Sequence, residues 1–343
     1  MTGTLRTLYR AEVVACSAFH VGNPDADAPL DASPCRLDAH GIPYLPGSSI
    51  AGRLVETVRG LCPEFETAEP PARQALTSKR DGDREATIVA SRVAVRSAYP
   101  VGTSGLVSGS ASGLAPLRAR NRVAIDRNLG VAAEHLKYQQ IEVPCGTRFR
   151  LSIEIDLERW GESRDEGLDD LVAWVEAALA QWTRFGRIGG HTGVGCGWFY
   201  LDKLRRLAIH PETLEHYLGM SDPRSDREDL FEAIDEGKVG ELLDRRLDHR
   251  PLAFTVRVHA GKRSDGYGWE SLLVRGGEYW AHKENCDAVF IRREVEGGKQ
   301  ECYVPGSSLK GACSAYLRRL AALCANVAET LTPFVITVEG AGS

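Results

Sequence analysis

A strict strand pattern in the middle of the chain, followed by a helix pattern, most constrains the fold. From Thr147 to Leu157, apolar and polar residues alternate, which predicts a β-strand with one buried face. From about 169 to 183, apolar residues recur at helical spacing and predict an amphipathic helix, with Asp169 or Asp170 as its N-cap. This pair implies a sheet with helices packed on one face.

Three more strands and one more helix complete a known order of elements. The additional strands are predicted at residues 7–19, 91–99 and 194–203, which are rich in Val, Ala, Phe and Tyr. A second helix is predicted to begin after Gly47, with Ser48 or Ser49 as its cap. Residues 1–205 then follow the βαββαβ order of a ferredoxin-like (RRM-like) domain. We therefore predict an α+β fold.

Between the predicted second and third strands, the chain makes a long excursion, from about 100 to 143. The excursion opens with a Gly/Ser-rich segment at 102–113 and then carries several arginines against a single acid, Asp126. These arginines are Arg118, Arg120, Arg122 and Arg127. The whole chain has 42 Lys and Arg against 47 Asp and Glu, a formal net charge of −5. Any contact with nucleic acid must therefore use a local basic patch.

The chain also contains an internal repeat. Residues 44–62 are YLPGSSIAGRLVETVRGLC, and residues 303–324 are YVPGSSLKGACSAYLRRLAALC. In each copy Pro-Gly-Ser-Ser begins a predicted helix, where free N–H groups favour anions. Arg53 and Lys310, one turn into each helix, favour phosphate binding, although Ser48 and Ser307 could simply cap the helices. The repeat predicts two related domains.

A glycine-rich segment, GRIGGHTGVGCGW at 186–198, follows the helix and leads into a strand. This order is the reverse of a dinucleotide-binding site. Six glycines are more than a tight turn requires, although a turn is the simpler interpretation. The segment therefore predicts a loop whose backbone N–H groups contact a phosphate or another chain.

Several classes of protein and site are not expected. The nine cysteines form no Cys-x-x-Cys pair, and the best zinc candidates, His282, Cys286 and Cys302, fit no common zinc spacing, so no zinc is expected. No apolar run is long enough to span a membrane, and the first residues lack the apolar core of a secretory signal. We expect a cytoplasmic protein with reduced thiols.

Three of these features together resemble a known family. The two helix starts PGSSIAGR and PGSSLKG, the stretch RNRVAIDRNLGVAAEHLKYQQIEVPCGTRFRLSIEID and the loop GGHTGVGCG are similar to the repeat-associated mysterious proteins (RAMPs) of CRISPR systems. Within that superfamily the chain is most similar to type III effector backbone subunits with tandem copies. The resemblance covers residues 8–204 and the first half of a second copy from 252 onward.

The resemblance implies contacts with guide RNA (crRNA) and with complementary target RNA. The helix starts and the glycine-rich loop would touch the guide backbone through Gly47, Ser48, Ser49, Arg53, Gly189, Gly190, His191, Thr192, Gly193, Gly306, Ser307, Ser308 and Lys310. The excursion around 118–141 would be the thumb, a β-hairpin that wedges into the guide–target duplex. We also expect Arg118, Arg120, Arg122 and Arg127 to bind RNA backbone.

In target-cleaving members of the family, an Asp between the first strand and the first helix performs the cut. Asp31, 15 residues before Pro46, matches that position, and Asp287, 18 residues before Pro305, matches it more loosely. The resemblance thus implies an endoribonuclease that uses Mg²⁺ or Mn²⁺ at Asp31 and Asp287. A turn in LDASP is the alternative role for Asp31.

The sequence departs from the family pattern after residue 205. Residues 206–250 are predicted to be a helical linker, and residues 251–343 form a second, incomplete domain without thumb, third strand or glycine loop. Either another effector subunit completes this domain or the chain is part of a longer polypeptide. Two alternatives to a target-cleaving subunit stay open: a non-catalytic guide-binding subunit, and a guide-processing endoribonuclease that uses His20.

Overall fold

The computed structural model of the chain has strands and helices throughout the residues that it describes. These are residues 4–22, 32–33, 35–67, 76, 79–80, 88–89, 91–101, 117–126, 131–157, 168–218, 230–244, 292–294 and 300–327. The strands are β1 (Arg6–Ala15), β2 (Ala32–Ser33), β3 (Lys79–Arg80), β4 (Ile88–Val89), β5 (Val93–Val95), β6 (Tyr99–Pro100), β7 (Arg118–Asp126), β8 (Val131–Glu142), β9 (Arg148–Asp156), β10 (Gly186–Arg187), β11 (Trp198–Ile209), β12 (Glu232–Ala233), β13 (Arg292–Glu294) and β14 (Gln300–Cys302). The helices are α1 (Gly47–Leu61), α2 (Glu64–Thr67), α3 (Leu168–Arg184), α4 (Pro211–Leu218), α5 (Glu236–Asp244) and α6 (Gly306–Val327).

One antiparallel sheet organises the first part of the chain. Its strands lie in the order β10-β11-β1-β9-β5, with β12 paired to β11 and β6 paired to β9. In β9 the apolar side chains Phe149, Leu151, Ile153 and Ile155 are buried, as the alternation predicted. The result is a mixed α+β fold that is compatible with a ferredoxin-like (RRM-like) domain.

The two long helices of this part pack together over the sheet. One face of α1 is buried, since Ile50, Leu54, Val58 and Leu61 are all at most 2% exposed. A hydrogen bond from the Trp182 Nε1 of α3 to the Thr57 hydroxyl, 2.9 Å, joins the helices. The main core is therefore an apolar layer between helices and sheet.

The predicted N-caps are wrong in detail. Helix α1 begins at Gly47 after Pro46, no side chain caps it, and Ser48 lies exposed within its first turn. Proline suits this position because its backbone angle is preset and it has no N–H to satisfy. Helix α3 begins at Leu168, so Asp169 and Asp170 lie in its first turn, where their carboxylates face the positive helix end.

The excursion contains a long β-hairpin. Strands β7 and β8 pair antiparallel from Arg118 opposite Glu142 to Asp126 opposite Val131, and β2 adds a short parallel strand to β8. The Gly/Ser-rich segment at 102–113 lies outside the described residues. The hairpin joins the domain at its base, where Val143 bridges to Phe19.

The described parts of 206–250 pack on the first domain. Strand β12 pairs with β11, and α5 places Val239, Leu242 and Leu243 against Ala180 of α3. Of the second repeat, the structure describes the β13–β14 pair and α6. None of the described helices is long and apolar enough to cross a membrane.

Candidate nucleic-acid interface

The glycine-rich loop between α3 and β11 is held against the residues that follow β1. Gly189 has a positive φ of 81°, and a Cβ atom there would lie 2.3 Å from the backbone oxygen of His20. The next amide, of Gly190, donates to that same oxygen at 2.9 Å. Only glycine permits this backbone approach, because a side chain would meet a carbonyl oxygen.

A second close approach pins the far end of the loop. Gly197 has a φ of 74°, and a Cβ atom would lie 2.0 Å from the Ile188 oxygen. The Ile188 amide donates to the Gly197 oxygen at 2.8 Å, and the Gly197 amide donates to Ala18 at 3.1 Å. These bonds close the loop around a short 3-10 turn, Thr192–Val194, with His191 at a φ of 58° before it.

His191 projects from the loop towards the hairpin. Its ring stacks on Tyr138 of β8, with centroids 6.4 Å apart and planes at 24°. Partial burial lowers the pKa of His191, and the nearby positive charge of Arg122 adds to that effect. A neutral, stacked imidazole beside an exposed loop can contact an RNA base as well as its backbone.

His20 lies beneath the loop, where it has a structural role. Its side chain is buried, and its Nδ1 lies 2.8 Å from the backbone oxygen of Ile141, to which it donates. Its own backbone oxygen accepts the Gly190 amide. His20 therefore joins the base of the hairpin to the glycine-rich loop.

Some arginine side chains of the hairpin are exposed to solvent, and others point into the protein. Arg118 is exposed, whereas Arg122 points inward and donates to Glu142 at 2.5 Å and to the Cys196 sulfur at 3.1 Å. Arg120 lies 3.8 Å from the same Glu142 carboxylate. Arg127 lies outside the described residues. Arg122 thus braces the hairpin against the loop that contains Cys196.

The start of α1 reaches the other side of the loop. Gly47 packs so tightly on β5 that a Cβ atom would lie 2.2 Å from the Val95 oxygen, and its amide donates to the Ser97 hydroxyl at 3.2 Å. Six residues later in the helix, Arg53 Nε donates to the Arg187 backbone oxygen at 2.7 Å. Arg53 therefore joins α1 to the first residues of the glycine-rich loop.

The second repeat also meets this region. Arg120 of the hairpin donates a hydrogen bond to the hydroxyl of Tyr303, with its guanidinium 5.9 Å from the ring centre. The Lys310 ammonium lies 3.2 Å from where a Cβ of Gly193 would be. Backbone residues Gly306, Ser307 and Ser308 form the first turn of α6. Both Pro-Gly-Ser-Ser helix starts thus lie in elements that contact the loop.

The two carboxylates predicted for catalysis, Asp31 and Asp287, lie outside the described residues. So do His282 and Cys286, whereas Cys302 is an exposed free thiol. Within the described ranges, no group of three or more His, Cys, Asp or Glu residues is placed to hold a metal ion.

The glycine-rich loop could be predicted from the sequence, whereas the contacts that support it could not. The stacking of Tyr138 on His191 and the pairing of Arg122 with Glu142 depend on hairpin register, which no local pattern reveals. A stacked pair of tyrosines, Tyr44 and Tyr99, was also missed. The only signal for it was the tyrosine that precedes Pro-Gly-Ser-Ser in both repeats.

Two comparisons with known proteins bear on the identity of the chain. No curated protein sequence matches the chain significantly. The family model of the RAMP superfamily matches residues 12–200, which is more than half of the chain and includes β5 and β9 of the sheet, the hairpin and the glycine-rich loop. Proteins of this superfamily are generally CRISPR-associated and bind RNA. The chain therefore belongs to the RAMP superfamily.

Proposed function

We propose that the chain is a guide-RNA-binding backbone subunit of a type III CRISPR effector that also cleaves complementary target RNA. One observation carries the proposal: the glycine-rich loop, α1, the hairpin and the second repeat meet at one place. The loop contacts α1 through Arg53, the hairpin through Arg122 and α6 near Lys310. The family resemblance assigns the loop and the two helix starts to the guide backbone, and the hairpin to the guide–target duplex.

The chemistry of this place suits an RNA backbone of any sequence. The amide of the exposed Gly193, the exposed Ser48 hydroxyl and the exposed Arg118 can donate to phosphate oxygens. Donors of this kind carry no base preference, and a guide-binding subunit must accept any spacer. The sheet order supports assignment of a βαββαβ domain, with the hairpin as its thumb.

Cleavage would use the nucleophile that RNA itself carries. The 2′-oxygen bonds to the adjacent phosphorus, its proton passes to a base, and the bond from phosphorus to the 5′-oxygen breaks as that oxygen takes up a proton. The products are a 2′,3′-cyclic phosphate and a 5′-hydroxyl. Asp31 and Asp287 are the proposed carboxylates, which can accept the proton or hold Mg²⁺ or Mn²⁺. A bound metal would supply positive charge against the developing negative charge.

The alternative of a non-cleaving guide-binding subunit shares every described contact. A guide-processing endoribonuclease based on His20 is less well supported. The His20 side chain is buried and its Nδ1 is committed to the Ile141 oxygen, whereas a general base must reach the proton that it removes. Other effector subunits are the proposed partners.

One set of incubations separates these functions. The chain is mixed with repeat RNA, and separately with guide RNA paired to a labelled target. We expect guide binding, target cleavage and no processing of the repeat. Asp31→Ala should abolish one cleavage position and Asp287→Ala a second, with binding retained, and EDTA should stop both. Unchanged cleavage in the double variant would contradict the assignment of catalysis, and lack of guide binding would contradict the function as a whole.

A further inference from the structure

A pair of stacked tyrosine rings lies at the edge of the sheet beside α1. The rings of Tyr44 and Tyr99 are 5.5 Å apart and inclined by only 15°. Tyr44 is half-buried, and Tyr99 remains 42% exposed. An exposed aromatic ring of this size, backed by a second ring, presents a rigid flat surface to solvent.

The backbone sets the direction of both rings. Leu45 and Ala98 exchange two hydrogen bonds of 2.9 Å, and both side chains are completely buried. Because successive side chains of extended backbone point to opposite sides, the neighbours Tyr44 and Tyr99 are turned outward. The two stacked rings therefore lie on the solvent side of the sheet edge, outside the core.

Positive charge lies next to the stack. Tyr99 of β6 is directly opposite Arg150 of β9, which is also exposed. Directly opposite residues of an antiparallel pair share one face of the sheet, so the guanidinium and the ring face the same way. A flat aromatic ring beside a cation suits a nucleotide, which has a base to stack and a phosphate to attract.

The second repeat places a tyrosine at the same point. Tyr303 precedes its Pro-Gly-Ser-Ser by the same interval as Tyr44, and it too is only half-buried. Its flat partner is the guanidinium of Arg120, 5.9 Å from the ring centre. A tyrosine with a planar partner thus recurs at both helix starts, although the partner residue differs.

We infer that the Tyr44–Tyr99 stack is a base-stacking site for single-stranded RNA, in which the exposed face of Tyr99 receives a nucleobase. The inference rests on the proposed function and adds a mode of recognition to it. Stacking tolerates every base because each has a π-face, so it suits a guide of any sequence. It also supplies affinity without net charge, which an acidic chain needs.

The test uses the full chain and two fluorescein-labelled probes, an oligouridine and the same ribose-phosphate backbone without bases. Tyr99→Ala should weaken oligouridine binding roughly tenfold, with the slope of affinity against salt unchanged because no phosphate contact is lost. Tyr99→Phe should bind normally. Tyr99→Leu, which keeps apolar contact with Tyr44 but has no ring face, should bind as weakly as the alanine variant.

Two comparisons make the result specific. Affinity for the base-free probe should be the same in Tyr99→Ala and the unchanged protein. Tyr217→Ala, on α4 beside β11 at the other edge of the sheet, should bind both probes normally. Normal oligouridine binding by Tyr99→Ala or Tyr99→Leu would overturn the stacking site alone. Failure of the unchanged protein to bind oligouridine would overturn the proposed function, and the stacking site with it.

Discussion

The close approach of Gly189 to His20 predicts a measurable cost for a single methyl group. In Gly189→Ala, the new Cβ atom would lie 2.3 Å from the His20 backbone oxygen at a φ of 81°. That oxygen also accepts the Gly190 amide, so it cannot move without loosening the bond that holds the loop. Gly195 is a matched control, because its φ is 91° and, its chain neighbours aside, no atom of the described residues lies within 4 Å of its Cβ position.

The expected magnitudes follow from these two environments. Both substitutions place an L-residue in the left-handed region, which destabilises the folded chain by about 1–2 kcal/mol. Alanine also reduces the conformational freedom of the unfolded chain, and this offsets the cost by about 0.4–1 kcal/mol. Gly195→Ala should therefore destabilise by about 1 kcal/mol. Gly189→Ala adds a steric term of about 1–3 kcal/mol, for a total of about 2–4 kcal/mol. With about 2–4 °C per kcal/mol, the melting temperature should fall by about 3 °C and about 5–15 °C respectively.

Thermal unfolding followed by circular dichroism measures both variants under the same conditions. Hydrogen exchange at the Gly190 amide gives a local readout, since its protection should fall in Gly189→Ala and persist in Gly195→Ala. Equal melting temperatures for the two variants would refute the reasoning, because the steric contact with His20 is the difference between them.

Three further predictions concern packing, charge and pH. Leu54→Ala in the buried face of α1 should destabilise by about 2–5 kcal/mol, whereas Leu317→Ala on α6, 63% exposed, should cost less than about 0.5 kcal/mol in denaturant unfolding. Arg118→Ala should lower the salt slope of RNA binding by about 0.7 and change stability by less than about 0.5 kcal/mol. Arg122→Ala should destabilise by about 1–3 kcal/mol, because the buried Glu142 carboxylate would lose its nearest cation and keep the more distant Arg120 guanidinium, 3.8 Å away. Burial and a nearby carboxylate raise the pKa of Tyr9 well above its ordinary value, so the unfolded chain loses this proton first and stability should fall as the pH rises above about 10. Tyr9→Phe should flatten that alkaline loss in urea titrations.

The sequence predicts best those strands and helices in which the spacing of apolar residues matches the buried face. The strand at Thr147–Leu157 and the helix at 169–183 appear as β9 and α3 within a residue or two. The apolar residues that alternate in the strand and recur in the helix are the ones that face the core. The caps could not be predicted equally well, because serine near a helix start suits both a cap and a first turn. Pro46 takes the cap position here.

The site shows the limit of local reasoning more clearly. The arginine-rich stretch was counted as basic because only Asp126 lies within it. The hairpin register brings Glu142 beside Arg122 from twenty residues away, and that pair removes a positive charge from the surface. His20 likewise attracted attention as a possible base, whereas its contacts to Ile141 and Gly190 identify a brace. Long-range pairing decides such roles, and composition cannot.

The same bracing explains how an acidic chain can serve as an RNA-binding subunit. Arg53 donates to the Arg187 backbone oxygen, and Arg122 donates to Glu142. Part of the positive charge near the loop therefore holds the loop in place and is not available to RNA. The loop then offers exposed backbone at Gly193, whose amide can bind phosphate without adding net charge. Affinity built from amides, stacking and few exposed cations should depend less on salt than the number of nearby arginines suggests. We therefore expect the slope of RNA affinity against salt concentration to be shallow. A steep slope would indicate that Arg122 binds RNA and is not paired with Glu142.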